Sequence, residues 1–109
     1  MLLDDISREV CKRNKNAVVG FILLGSYIYY HKPHQSYLFT DTTFDAMCKF
    51  MLKHYDDIEH RLKHLITKED LQAGTLFKLQ DWQYPIQLIG LAIELSECEE
   101  YPDWLKGEY

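Results

Sequence analysis

The stretch from residue 17 to about residue 30 constrains this chain most. It opens on Ala17, Val18 and Val19 and continues through Phe21, Ile22, Leu23, Leu24, Tyr27 and Ile28, with no charged side chain before His31. Wound as a helix, it carries apolar groups on every face, and such a helix is stable only with neighbours all round it. Its Val-Val and Phe-Ile pairs also permit a strand, but its length favours a helix. The apolar run over 17–25 falls well short of the roughly 20 residues that cross a bilayer. The expectation is a buried central helix, closed by Pro33, whose ring cannot continue the hydrogen-bond ladder.

The rest of the chain reads as what surrounds that helix. Leu3, Ile6 and Val10 recur at helical spacing and predict a first helix from 2 to about 13, ended by Asn14 and Asn16. Residues 32–40 mix polar and aromatic types and read as a loop. Thr40 or Asp41 then caps a helix, since a short oxygen-bearing side chain accepts from the free N–H groups of the first turn. Phe44, Met47, Cys48, Met51 and Tyr55 form its apolar stripe, and Ile58, Leu62, Leu65 and Ile66 continue it past a break near Asp56 and Asp57. Thr67 with Asp70 three residues on resembles a capping box opening a short helix that stops near Gly74. Residues 76–84 are ambiguous between helix and loop. Pro85 suits a helix start, a last apolar helix covers 86–96, and Pro102 breaks the tail. The expected fold is all-α: one domain over 1–109, a helical bundle of four to six helices.

Composition narrows the function classes. The 109 residues are 47% hydrophobic and 27% charged, a globular balance rather than a disordered one. Net charge is −5, and six acids against Lys106 in the last sixteen residues account for all of it. No basic stripe follows a phosphate backbone, so direct nucleic-acid binding is not expected. The acidic end reads as a solvated terminus or a dock for a basic partner. Cys11, Cys48 and Cys98 are odd in number and widely spaced, which is neither a disulfide framework nor a zinc signature. A reducing, cytoplasmic setting with no membrane association follows, and the start of the chain lacks the basic region of a signal peptide.

One constellation carries chemical information. Tyr29, Tyr30 and His31 end the central helix. Asp41, Thr42, Thr43, Phe44 and Asp45 open the next one. A helix-loop-helix brings these ends together, and Asp41 and Asp45, four apart, share a face. Rings there can stack on a flat heterocycle, and carboxylates can accept from ribose hydroxyls or an amide and balance a positive ring. The structural alternative is local: Asp41 caps, Tyr30 and Phe44 pack, and His31 sits near a helix C-terminus where positive charge is welcome.

This stretch, within about residues 2–57, resembles the N-terminal subdomain Ia of NAD-dependent DNA ligases. In that family a helical hairpin carries a Tyr-His pair and then an Asp-x-x-Tyr-Asp motif that hold the nicotinamide mononucleotide (NMN) half of NAD. Tyr30 and His31 match the pair; Asp41, Phe44 and Asp45 match the motif, with Phe44 lacking the family's phenolic hydroxyl. Residues 58–109, a helical part with the acidic end, resemble no other part of a ligase. The Lys-x-Asp-Gly string that carries the adenylated lysine is absent, so no nucleophile for nucleotidyl transfer is identified and the chain is not expected to act as an enzyme alone. The resemblance is to small stand-alone phage ligase-related proteins. It implies NAD or NMN as ligand, held by Tyr30, His31, Asp41, Phe44 and Asp45. The alternative function is a non-catalytic interaction protein, an old ligase fold reused to bind and inhibit a host nuclease or defence factor.

Other signals are weaker. His60 and His64 sit at i, i+4 on a predicted helix but among Glu59, Arg61 and Lys63, a solvated face, so no metal is expected. Gly20 and Gly25 are expected to allow close packing. Trp82 is expected to be buried; the placement of Trp104 is left open.

Overall fold

The computed structural model describes residues 2–32, 36–74, 76 and 78–100. Over these the protein is all-α, with no strand among the described residues. Its helices are α1 (Asp4–Arg13), α2 (Val18–His31), α3 (Asp41–Lys53), α4 (Lys68–Ala73) and α5 (Ile86–Glu97). Short 3-10 turns lie at Lys15–Ala17, Tyr55–Asp57, Lys63–Leu65 and Asp81–Gln83. None of the described helices is long and apolar enough to cross a membrane.

The apolar segment is indeed a helix at the centre. Val18, Val19 and every residue from 21 to 28 in α2 are buried. It packs most heavily on α5, then on α3, then on α1. From α5 come Leu88, Ala92 and Leu95, one face at i, i+4 and i+7. From α3 come Met47, Cys48 and Met51, and from α1 Ile6 and Val10 with Leu3 just before it. The one polar side chain buried within α2, Ser26, is satisfied: its hydroxyl donates to the Leu23 carbonyl at 3.1 Å. The buried Tyr84 hydroxyl, 2.9 Å away, is then left to donate to Ser26. Burial pushes the Tyr84 phenol up to about 12, with Ser26 partly opposing and Tyr30 and Tyr27 adding to it.

The caps follow the sequence closely at three places. The Thr67 hydroxyl accepts from the Asp70 amide and the Asp70 carboxylate accepts from the Thr67 amide, a complete capping box. Gly74 ends α4 in the left-handed region at φ 72°, which only glycine adopts without strain. The Thr40 hydroxyl caps α3 by accepting from the Thr43 amide at 3.3 Å. Thr40 is itself held from a distance. Its hydroxyl donates to Asp4 at 2.7 Å and its amide donates to the same carboxylate at 3.1 Å. With the Leu3 amide donating to the Leu38 carbonyl, these bonds tie the start of α1 to the entry of α3.

Three expectations need correction. The stripe of α3 does not continue as a helix through 58–66. The chain leaves the helix through a 3-10 turn at Tyr55–Asp57 and has one more at Lys63–Leu65, with Ile58 and Ile66 driven singly into the core and the Tyr55 hydroxyl donating to the Ile66 carbonyl at 2.7 Å. Spacing alone does not reveal that apolar side chains reach the core as separate plugs rather than as a face. Gly20 does not serve close packing, because a Cβ there would meet nothing within 4 Å. Trp82 is not buried but 77% exposed: Leu79 and Tyr84 point inward on either side of the 3-10 turn at 81–83 and leave Trp82 outside. Pro33, Pro102 and Trp104 lie outside the described residues, as does the chain after residue 100.

Burial raises the Asp4 carboxyl, but hydrogen bonds from the Thr40 side chain and backbone and from Thr43, with Arg8 adding its charge, outweigh this and hold it below its ordinary value. A depressed carboxyl contributes stability above its unfolded pKa and loses it as pH falls through the folded one, here below about 4. Thr40→Ala is expected to cost about 1 kcal/mol in urea unfolding at neutral pH. It should also flatten the acid limb of the stability–pH curve; an unchanged acid limb would place that titration elsewhere.

Candidate functional site

The end of α2, the loop before α3 and the first turns of α3 enclose a cavity of about 190 Å³. α2 contributes Gly25, Tyr29 and Tyr30. The loop contributes Tyr37, Leu38 and Phe39, and α3 contributes Asp41, Phe44 and Asp45. Gly74, at the end of α4, closes the rim, because α4 packs on α3. Five rings and two carboxylates therefore share one small space, and among the described residues no lysine or arginine lines it.

Gly25 makes the floor. A Cβ at that position would stand 2.7 Å from Phe39 Cδ2 and 3.3 Å from Phe44 Cδ2, so both rings rest close against bare helix backbone. Phe39 is also held edge-on by Phe21, with ring centroids 6.1 Å apart. At the mouth, Tyr29 packs edge-on against Tyr30 at 4.9 Å and tilts over Tyr37 at 5.3 Å. Tyr29 and Tyr37 are each about half exposed. Aromatic edges and faces thus present themselves to whatever enters.

The two acids differ. Asp45 forms an ion pair with Lys49 one turn on, at 2.8 Å, and both side chains are largely exposed. That geometry raises the Lys49 ammonium above its ordinary value, through the hydrogen bond first and the charge second. Asp41 lies in the first turn of α3, where the helix dipole favours a negative charge. Its carboxylate has no hydrogen-bond or ion-pair partner among the described residues.

Of the five residues singled out from the sequence, Tyr30, Asp41, Phe44 and Asp45 line this cavity. His31 does not. One helical step round from Tyr30, its ring faces Tyr27 at 5.6 Å and Tyr84 at 5.4 Å, and Nε2 donates to the Leu79 carbonyl at 2.9 Å. It helps fasten the chain beyond α4 to α2. Adjacent residues on a helix point about 100° apart, so Tyr30 and His31 turn to different neighbours. Sequence reasoning passed over Tyr37, Phe39 and Gly74 as lining residues. The aromatic content of the loop was a signal for the first two; only tertiary packing places Gly74.

Other candidate groups lie elsewhere. His60 and His64 do not share a helix face. His60 Nδ1 accepts from the Leu62 amide and His64 Nδ1 donates to the Arg61 carbonyl, each at 3.0 Å. Among the described residues no group of three His, Cys, Asp or Glu side chains is arranged to hold a metal ion. Burial pushes the Cys11 thiol up to about 11. Burial, with Asp45 adding to it, pushes Cys48 up to about 12. Both stay protonated at neutral pH and are poor nucleophiles.

Comparisons with protein-family models, with curated proteins and with solved structures find no match for this chain.

Gly25→Ala tests the floor of the cavity. Overpacking against Phe39 and Phe44 opposes the helix-propensity gain, for an expected net loss of about 1 kcal/mol in chemical denaturation. The near-ultraviolet dichroism of the rings should change with it; an unaltered spectrum would mean that the rings do not rest on Gly25.

Proposed function

We propose that this protein is a nucleotide-binding module that takes the nicotinamide riboside portion of NAD or NMN and does not catalyse ligation alone. The observation that carries the reading is the convergence of Tyr30, Asp41, Phe44 and Asp45 on one aromatic cavity. A ring entering it meets aromatic side chains on several sides, and the carboxylates at the start of α3 are placed to accept from ribose hydroxyls. At about 190 Å³ the cavity is smaller than the ~300–1,000 Å³ of ordinary ligand pockets. It suits one ring and part of a sugar rather than a whole dinucleotide. The sequence lacks Lys-x-Asp-Gly, so the module would cooperate with a nucleotidyl-transfer partner or sequester the cofactor. Phage origin and cytoplasmic location rest on the resemblance and the composition.

A second reading is an interaction protein that binds and inhibits a host nuclease or defence factor. Trp82, 77% exposed, and Ile86, 85% exposed, stand four residues apart around the start of α5, and an exposed tryptophan is a common anchor at protein interfaces.

Calorimetric titration with NAD and NMN separates the two. Saturable binding that Asp41→Ala reduces at least about tenfold, with the variant still folded, supports the nucleotide module; a tenfold loss corresponds to about 1.4 kcal/mol. No heat at millimolar ligand removes it. The interaction reading predicts instead that Trp82→Ala leaves the fold intact and abolishes capture of a protein partner.

A further inference from the structure

Among the described residues, Trp82 and Ile86 are the large apolar side chains most open to water, at 77% and 85% exposed. They flank Pro85 at the start of α5, Trp82 on the 3-10 turn at 81–83 and Ile86 as the first residue of the helix. Single apolar residues on a surface are ordinary, but a tryptophan and an isoleucine four residues apart make a projecting apolar pair that is stabilised by cover. Pro85, between them, also lines a groove of about 230 Å³. Gly20 and Leu24 of α2 and Leu88 and Leu91 of α5 make its apolar part, and His60 and Arg61 its polar part. The groove follows from the central helix. α2 has apolar groups on every side, and its cover is incomplete over Gly20, where a Cβ would meet nothing within 4 Å. An apolar projection and an apolar hollow therefore adjoin each other at one proline.

The polar groups of the two are complementary. Asp81, next to Trp82, carries an acceptor-only carboxylate. The groove brings donors: the Arg61 guanidinium and the His60 ring. His60 Nδ1 accepts from the Leu62 amide at 3.0 Å, so the ring proton stands on Nε2, which donates. We infer that the groove receives Trp82 of a second copy of this chain. In the resulting two-fold dimer each copy's Trp82 enters the other's groove, Ile86 covers the apolar rim beside it, and Asp81 meets Arg61 and His60. A projection and a hollow side by side are exchanged by a single two-fold rotation, and such self-complementary contacts are the commonest form of oligomer. A groove of this size takes one indole rather than a whole helix of a partner. The inference names a second copy, not a host protein, as what Trp82 engages, and it does not depend on what the aromatic cavity binds.

The test is sedimentation of the full chain from micromolar to millimolar concentration, with helical dichroism to confirm that each variant is folded. The protein should pass from monomer to dimer, and Trp82→Ala, at an exposed site, should weaken the dimer at least about thirtyfold. Gly20→Leu fills the groove from its floor. Placed in open space within a helix, it should keep the fold and weaken the dimer as much. Mixed in equal amounts, the two variants should associate more tightly than either does alone, because the Trp82 kept by one meets the groove kept by the other. Arg61→Glu should weaken the dimer about three- to tenfold, and Asp81→Lys added to the same chain should restore it. A protein that stays monomeric throughout overturns the inference, and the second reading of Trp82 then stands or falls on its own capture test. A dimer indifferent to Gly20→Leu also overturns it, since its contacts then bypass the groove. Failure of the mixed variants to associate overturns the exchange in the same way.

Discussion

A helix with apolar side chains on its whole circumference needs cover on every side, and the rest of this protein is arranged to supply it. Buried from Val18 to Ile28 apart from Gly20, α2 has no polar face to turn to water. Helices α5, α3 and α1 close round it, and Leu76, Leu79 and Tyr84 bring the chain beyond α4 against the same core. Each covering helix needs only a narrow stripe, and each shows one: Ile6 and Val10; Met47, Cys48 and Met51; Leu88, Ala92 and Leu95. Burying such groups contributes roughly 1.5–3 kcal/mol for each large side chain, far above the effect of the exposed ion pairs at Arg8–Asp5 and Lys68–Asp56.

The cavity forms where that cover ends. At Tyr29 the helix emerges from the core, since Tyr29 is exposed and Tyr30 half-buried. The loop then has to turn back and start α3 beside it. Gly25 lets Phe39 lie on the α2 backbone at a distance no other residue permits. Asp4 and Leu3 hold the far end of the loop by bonding to Thr40 and Leu38. Phe39 and Phe44 are therefore positioned by packing on Gly25 and the acids by a capped helix, while Tyr37 comes to the lining from the loop. This arrangement also separates the acids electrically, one paired with Lys49 and one not.

His31 and Trp82 show where linear reasoning stops. In the sequence His31 is next to Tyr30 and looks like part of the same cluster, but helical rotation sends its ring to Tyr27, Tyr84 and Leu79. Leu79 is 48 residues away along the chain, and no local pattern announces that contact. Trp82 lies between residues that plug the core, and hydrophobicity alone predicts it to join them. A single 3-10 turn reverses that outcome. The histidines at 60 and 64 fail as a pair for the same reason: their spacing has meaning only on a helix, and the chain there is irregular.

What the sequence by itself determined is the set of local, periodic features. It specified the all-apolar central helix, a cap at Thr40 or Asp41 and another at Thr67, the stop at Gly74, the start after Pro85, and the face shared by Asp41 and Asp45. These depend on interactions within a few residues, where side-chain chemistry and helical period are sufficient. Tertiary structure decided which side each ring faces, that Gly25 and not Gly20 meets another side chain, and that Gly74 closes the cavity beside Asp45. It also decided that residues 58–66 abandon the helical period. Those outcomes depend on which surfaces meet across long sequence separations, and the need to cover α2 on all sides fixes them only once every helix is in place.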